Sequence, residues 1–71
     1  IYVRPDGNAW KVDATAAGYQ QLHPTSAAAI RQAREMARLS WVEGHQPSTV
    51  KVLGPEGWTV DVYFGLEGLG D

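Results

Sequence analysis

Arg31, Arg34 and Arg38 recur at i, i+3 and i+7 in a stretch that reads as a helix, so their guanidinium groups share one flank. A row of planar, fixed-geometry donors can grip phosphate, a carboxylate-rich partner or a nucleic-acid backbone. The plainer reading is a solvated flank, with Glu35 nearby and Asp13 or Asp61 on the sheet as ion partners. Leu39 and Val42 project roughly opposite the apolar stripe of the same helix. They either mark an interface or lie under the segment 16–24.

The remaining candidates for chemistry are sparse. His23 precedes a proline and has no Ser, Cys or carboxylate beside it in a nucleophile arrangement, and His45 falls in the helix exit, so no catalytic residue is expected. Two histidines with Glu43 make an incomplete zinc set, and neither metal nor cofactor is expected. Gly54-Pro55-Glu56-Gly57 is no phosphate cradle, because Pro55 lacks an N–H and Glu56 repels anions. The aromatic residues can in principle stack on bases. Trp10 and Trp58 read as inward-facing, however, which favours core over a stacking platform.

These groups must be held by elements written in two alternating patterns. Ile1 to Arg4 and Trp10 to Ala14 form period-two stretches around the turn Pro5-Asp6-Gly7-Asn8. Thr49 to Leu53 and Trp58 to Phe64 repeat that grammar around Gly54-Pro55-Glu56-Gly57. Val50, Val52, Trp58, Val60, Val62 and Phe64 are expected on one side of this second hairpin, with Lys51, Thr59, Asp61 and Tyr63 on the other. Between the hairpins, Thr25 or Ser26 caps a helix that runs to about Gly44, with Gly44 as its left-handed terminator. Ile30, Ala33, Ala37 and Trp41 fall in one narrow stripe, widened by Ala29 and Met36. Residues 16–24 remain ambiguous, since Tyr19 and Leu22 suit either an extra strand or a cover for the sheet edge.

The expected fold is therefore α+β in ββαββ order, an antiparallel sheet with one helix packed on one face. A single domain spans residues 1–64, and a flexible glycine-rich tail spans 65–71. A chain of 71 residues buries only about 60% of its unfolded surface. Without cysteine it has no disulfide to compensate, so a homodimer or a larger protein partner is expected. The net charge of −2 makes nucleic acid an unfavoured partner, and no apolar run reaches membrane-spanning length. No signal peptide is visible and a cytoplasmic location is expected, although the chain opens on Ile1 and an upstream segment is anticipated.

The stretches YVRPDGNAWKV at 2–12, TSAAAIRQAREMA at 25–37 and VKVLGPEGWTV at 50–60 resemble a family of short bacterial and phage proteins known only as a domain of unknown function. That resemblance runs in order over most of the chain and brings no catalytic residues with it. A second similarity, to HicB-like antitoxins, rests on the helix opening T-x-x-x-A-I-x-x-A-R-E. It implies three strands ahead of the helix, with residues 19–22 as the third, and the sequestering of a small ribonuclease toxin. The function expected is a small non-enzymatic protein-interaction module. The alternative is a toxin-neutralising or nucleic-acid-associated regulator. The expected contact residues are Arg31, Arg34, Arg38 and Leu39 on the helix, and Tyr2, Leu53 and Tyr63 on the outer face of the sheet.

Overall fold

The computed structural model describes residues 1–65, the side chain of Ala16 excepted. Its elements are β1 (Tyr2–Asp6), β2 (Ala9–Ala14), a short 3-10 turn (Thr15–Ala17), β3 (Tyr19–His23), α1 (Ser26–Gly44), β4 (Ser48–Gly54) and β5 (Gly57–Phe64). They form one five-stranded sheet in the order β3-β2-β1-β4-β5, with α1 packed chiefly against β4, β2 and β1. The expectation for the tail at 66–71 lies outside the described residues. Gly65 is buried, with the Tyr63 ring standing where its Cβ would be.

The α+β class holds, but the expected ββαββ order and purely antiparallel sheet need correction. The order is βββαββ, and the central pair β1–β4 is parallel, aligning Tyr2 with Lys51 and Val3 with Val52. Tyr19–His23 pairs antiparallel with β2 along its whole length, from Ala14 opposite Tyr19 to Trp10 opposite His23. It becomes a strand because β2 offers a free edge. Parallel neighbours cannot be joined by a hairpin, and here the long connection that includes α1 makes the crossover.

The first turn is displaced by one residue from the expected Pro5-Asp6-Gly7-Asn8, whereas the second falls where expected. Pro5 belongs to β1, opposite Trp10, and the turn proper is Gly7-Asn8, with Gly7 at φ 63°. Pro5 is tolerated because β4 pairs with β1 only at Tyr2 and Val3, so no ladder bond on that side needs its N–H. Pro55-Glu56 forms the other turn, closed by Gly54 opposite Gly57.

The core is a column of small helix residues on a row of valines. Ala29, Ala33 and Ala37 are 0% exposed, as are Val3, Val12 and Val50. Ile30, Met36, Trp10, Tyr19, Val62 and Phe64 pack around them. Alanine at every contact turn lets the helix backbone lie close to the pleat, which is why larger residues appear only at the margins. Thr25 caps the helix as expected, its hydroxyl accepting from the Ala28 N–H at 3.1 Å. The other end differs, because Gly44 is still helical and His45 takes the left-handed conformation at φ 53°. His45 sets its ring edge-on to Trp41, with centroids 6.2 Å apart.

Two stability measurements test this account. Ala33→Leu forces a larger side chain between α1 and the valine row and is expected to cost about 1–3 kcal/mol. A thermal melt that stays at the wild-type midpoint counts against close helix-to-sheet contact. His45→Gly relieves a left-handed cost of about 1–2 kcal/mol and loses only the edge contact with Trp41, so it is expected to raise the midpoint in urea. A lowered midpoint shows that the Trp41 contact outweighs the backbone strain.

Candidate functional site

The arginine row is largely engaged within the chain. Arg34 clamps Asp61 on β5 with two bonds, Nε to Oδ2 at 2.6 Å and Nη2 to Oδ1 at 2.8 Å. Arg38 grips Glu35 one turn back, Nη2 to Oε1 at 2.5 Å and Nε to Oε2 at 3.1 Å. Arg31 is exposed and makes no ion pair among the described residues. The three do line one open groove of about 820 Å³, together with His23, Ile30 and Phe64. Leu39 and Val42 stay on the solvent side of α1, 37% and 56% exposed.

The uncovered face of the sheet is chemically richer. Register places Gln20, Asp13, Tyr2, Lys51 and Val60 side by side across all five strands. The next row carries Leu22, Lys11 and Arg4 on β3, β2 and β1, and Leu53 opposite Trp58 on β4 and β5. Thr49 and Tyr63 form a further outward pair. Of the contact residues expected on this face, Tyr2 and Tyr63 are exposed and Leu53 is half-buried.

Trp58 and Val60 were expected to face inward, and the structure reverses both. Val50 pairs with Val62 but the next residue, Lys51, pairs with Val60, so Asp61 is an extra residue on β5. Such a bulge shifts the alternation by one. Val62 and Phe64 keep the inner side, whereas Val60 and Trp58 turn outward, 59% and 45% exposed. There the Trp58 ring meets Tyr2, itself 47% exposed, in an edge-on contact with centroids 5.2 Å apart. The extra residue is the one that Arg34 holds from the helix side.

Electrostatics separates the two sides. On the helix flank the Arg34 hydrogen bonds hold the Asp61 carboxyl below its ordinary range, opposed by partial burial. The Arg38 hydrogen bond does the same to Glu35. On the open face, Asp13 is held low by the Thr15 hydroxyl first, then by Gln20, with help from the fields of Arg4 and Lys11. Arg4, Lys11 and Lys51 have no ion pair among the described residues. His23 Nε2 is buried without a protein partner, and His45 is occupied with the helix end. Among the described residues no group of three or more His, Cys, Asp or Glu could hold a metal ion, and no helix is long and apolar enough to cross a membrane.

The Arg34–Asp61 clamp makes a pH prediction. Asp61 titrates lower in the folded chain than unfolded, so the stability it adds is complete above the unfolded aspartate value and disappears as pH falls through the depressed folded value. Asp61→Asn is expected to be less stable than wild type at neutral pH by roughly 0.5–1 kcal/mol, the range for a partly exposed, well-aligned pair. Urea titrations should show that gap closing as pH drops below about 4. A gap that is constant with pH removes the charge pairing from the account.

No curated protein and no solved structure matches the chain. A family model described as "Uncharacterized protein conserved in bacteria" matches residues 1–63, and over that length the chain belongs to this family, DUF2188.

Proposed function

We propose that this chain is a binding module without a reaction centre, and that the sheet face opposite α1 is where it acts. The observation that carries this reading is the outward turn of Trp58 and Val60 beside Tyr2. Large aromatic and branched side chains in one exposed patch are characteristic of surfaces that are covered in use. The ionisable groups of the helix flank are instead tied to one another, as Arg34 is to Asp61 and Arg38 to Glu35. A homodimer or a larger protein partner, favoured by the small core, would use this same face.

The test compares wild type with two double variants as baits for source-cell extract. Trp58→Ser with Val60→Ser alters the open face, and Leu39→Ser with Val42→Ser alters the exposed side of α1. Both residue pairs are partly exposed, and folding is checked by circular dichroism before use. The expected result is that macromolecules retained by wild type persist on the helix variant and vanish from the face variant. Retention that survives on the face variant, or no retention by wild type, overturns the assignment.

A further inference from the structure

We propose that the occupant of the open face is single-stranded nucleic acid, its bases stacked on the Trp58 and Tyr2 rings and its phosphates held by Arg4, Lys11 and Lys51. The inference rests on the reading of this face as the working surface and adds the chemistry of what binds there.

Three observations carry it. Arg4 and Lys11 are direct cross-strand partners on the open face, a like-charge pairing that weakens a sheet unless an anion lies between them. Asp13 lies in the field of both, but neither forms an ion pair with it among the described residues. Asp13 is occupied by Thr15 and Gln20, Asp6 stands at the hairpin rim opposite Ala9, and Glu56 lies in the turn beyond β4. The face thus carries three cations, Arg4, Lys11 and Lys51, against the two carboxylates Asp13 and Asp6, although the whole chain has a net charge of −2.

Next, Lys51 stands in the row beside Tyr2, whose ring meets that of Trp58, so a cation borders the aromatic pair. Cations beside exposed rings suit a strand that alternates base and phosphate. An edge-on contact between Tyr2 and Trp58 uses one ring face of the pair and leaves others for bases.

Lastly, geometry selects the form of nucleic acid. A broad sheet face presents nothing that enters a duplex groove, which admits a helix or a narrow ribbon. Unpaired bases, by contrast, offer their faces to exposed aromatic rings. A second copy of this chain fits less well. A two-fold contact buries the same patch on both copies, and a patch with more cations than carboxylates complements itself poorly.

The experiment measures fluorescence anisotropy of labelled oligothymidylate and oligouridylate with the whole chain, from low to physiological salt. Binding is expected, with the logarithm of affinity falling against the logarithm of salt at a slope of about 2, as for three phosphate contacts on a single strand. Trp58→Ala should weaken binding by roughly fivefold or more. Lys11→Gln and Lys51→Gln should each reduce the slope by about 0.7, while Leu39→Ser changes nothing. Absent binding at low salt, or binding indifferent to Trp58→Ala in a chain shown folded by its melt, overturns the proposal. A dimer by sedimentation that shields Trp58 from a soluble quencher overturns it too, in favour of a second copy. If oligonucleotides fail while retention from nuclease-treated extract still depends on Trp58 and Val60, the ligand inference falls and the binding-module reading survives.

Discussion

Side chains along a strand alternate without slack, so a single extra residue reverses everything on one side of it. Asp61 is that residue, and Arg34 reaches from the helix to hold it with two bonds. The ion pair alone does not explain the arrangement, because exposed pairs contribute at most about 1 kcal/mol, whereas burying a valine contributes about 1.5–3 kcal/mol. Width supplies the missing reason. A helix is about 10–12 Å across and strands are spaced about 4.8 Å apart, so α1 shelters little more than the central strands on which it packs. On the edge strand β5, an inward Trp58 would find few helix atoms to meet. Turned outward, it finds Tyr2.

Most of the architecture was legible because it is local. Ala33 and Ala37 read as the middle of the contact stripe with Ala29 at its margin, Thr25 as one of two candidate caps, and the two glycine-bearing turns as hairpins. What escaped depends on distant partners. YQQLH at 19–23 has little alternation of its own and is extended because β2 needs a neighbour. The parallel register of β1 with β4 links segments on either side of α1, and no turn residue announces it. The bulge is the hardest case, since Trp58-Thr59-Val60-Asp61-Val62-Tyr63-Phe64 alternates perfectly on paper. Only the pairing with Lys51 shows where the phase changes.

The same logic divides the candidate residues. Spacing placed Arg31, Arg34 and Arg38 on one flank, and they do line one groove, yet spacing says nothing about Asp61 arriving from β5 to occupy the middle one. Tyr2 and Tyr63 were legible as outward residues because β1 and the end of β5 keep the simple alternation. Trp58 and Val60, which turn a mixed polar face into an aromatic and aliphatic one, were not. Charge is partitioned accordingly: the helix flank satisfies itself with Glu35 and Asp61, while Arg4, Lys11 and Lys51 face outward beyond reach of those carboxylates.

The central position of β1 also bears on how the chain is made. Its partner β4 lies beyond the meander and the whole of α1, so during synthesis the first three strands exist before the strand that completes them. Until β4 emerges, one long side of β1 is an open seam of backbone donors and acceptors at what will become the middle of the molecule. Closing it requires an ordered loop of most of the chain, the slowest kind of contact to form. In a crowded nascent pool, a neighbour's β4–β5 hairpin fits that seam as well as the chain's own, and exchange of this hairpin is the misassembly to which the topology is prone.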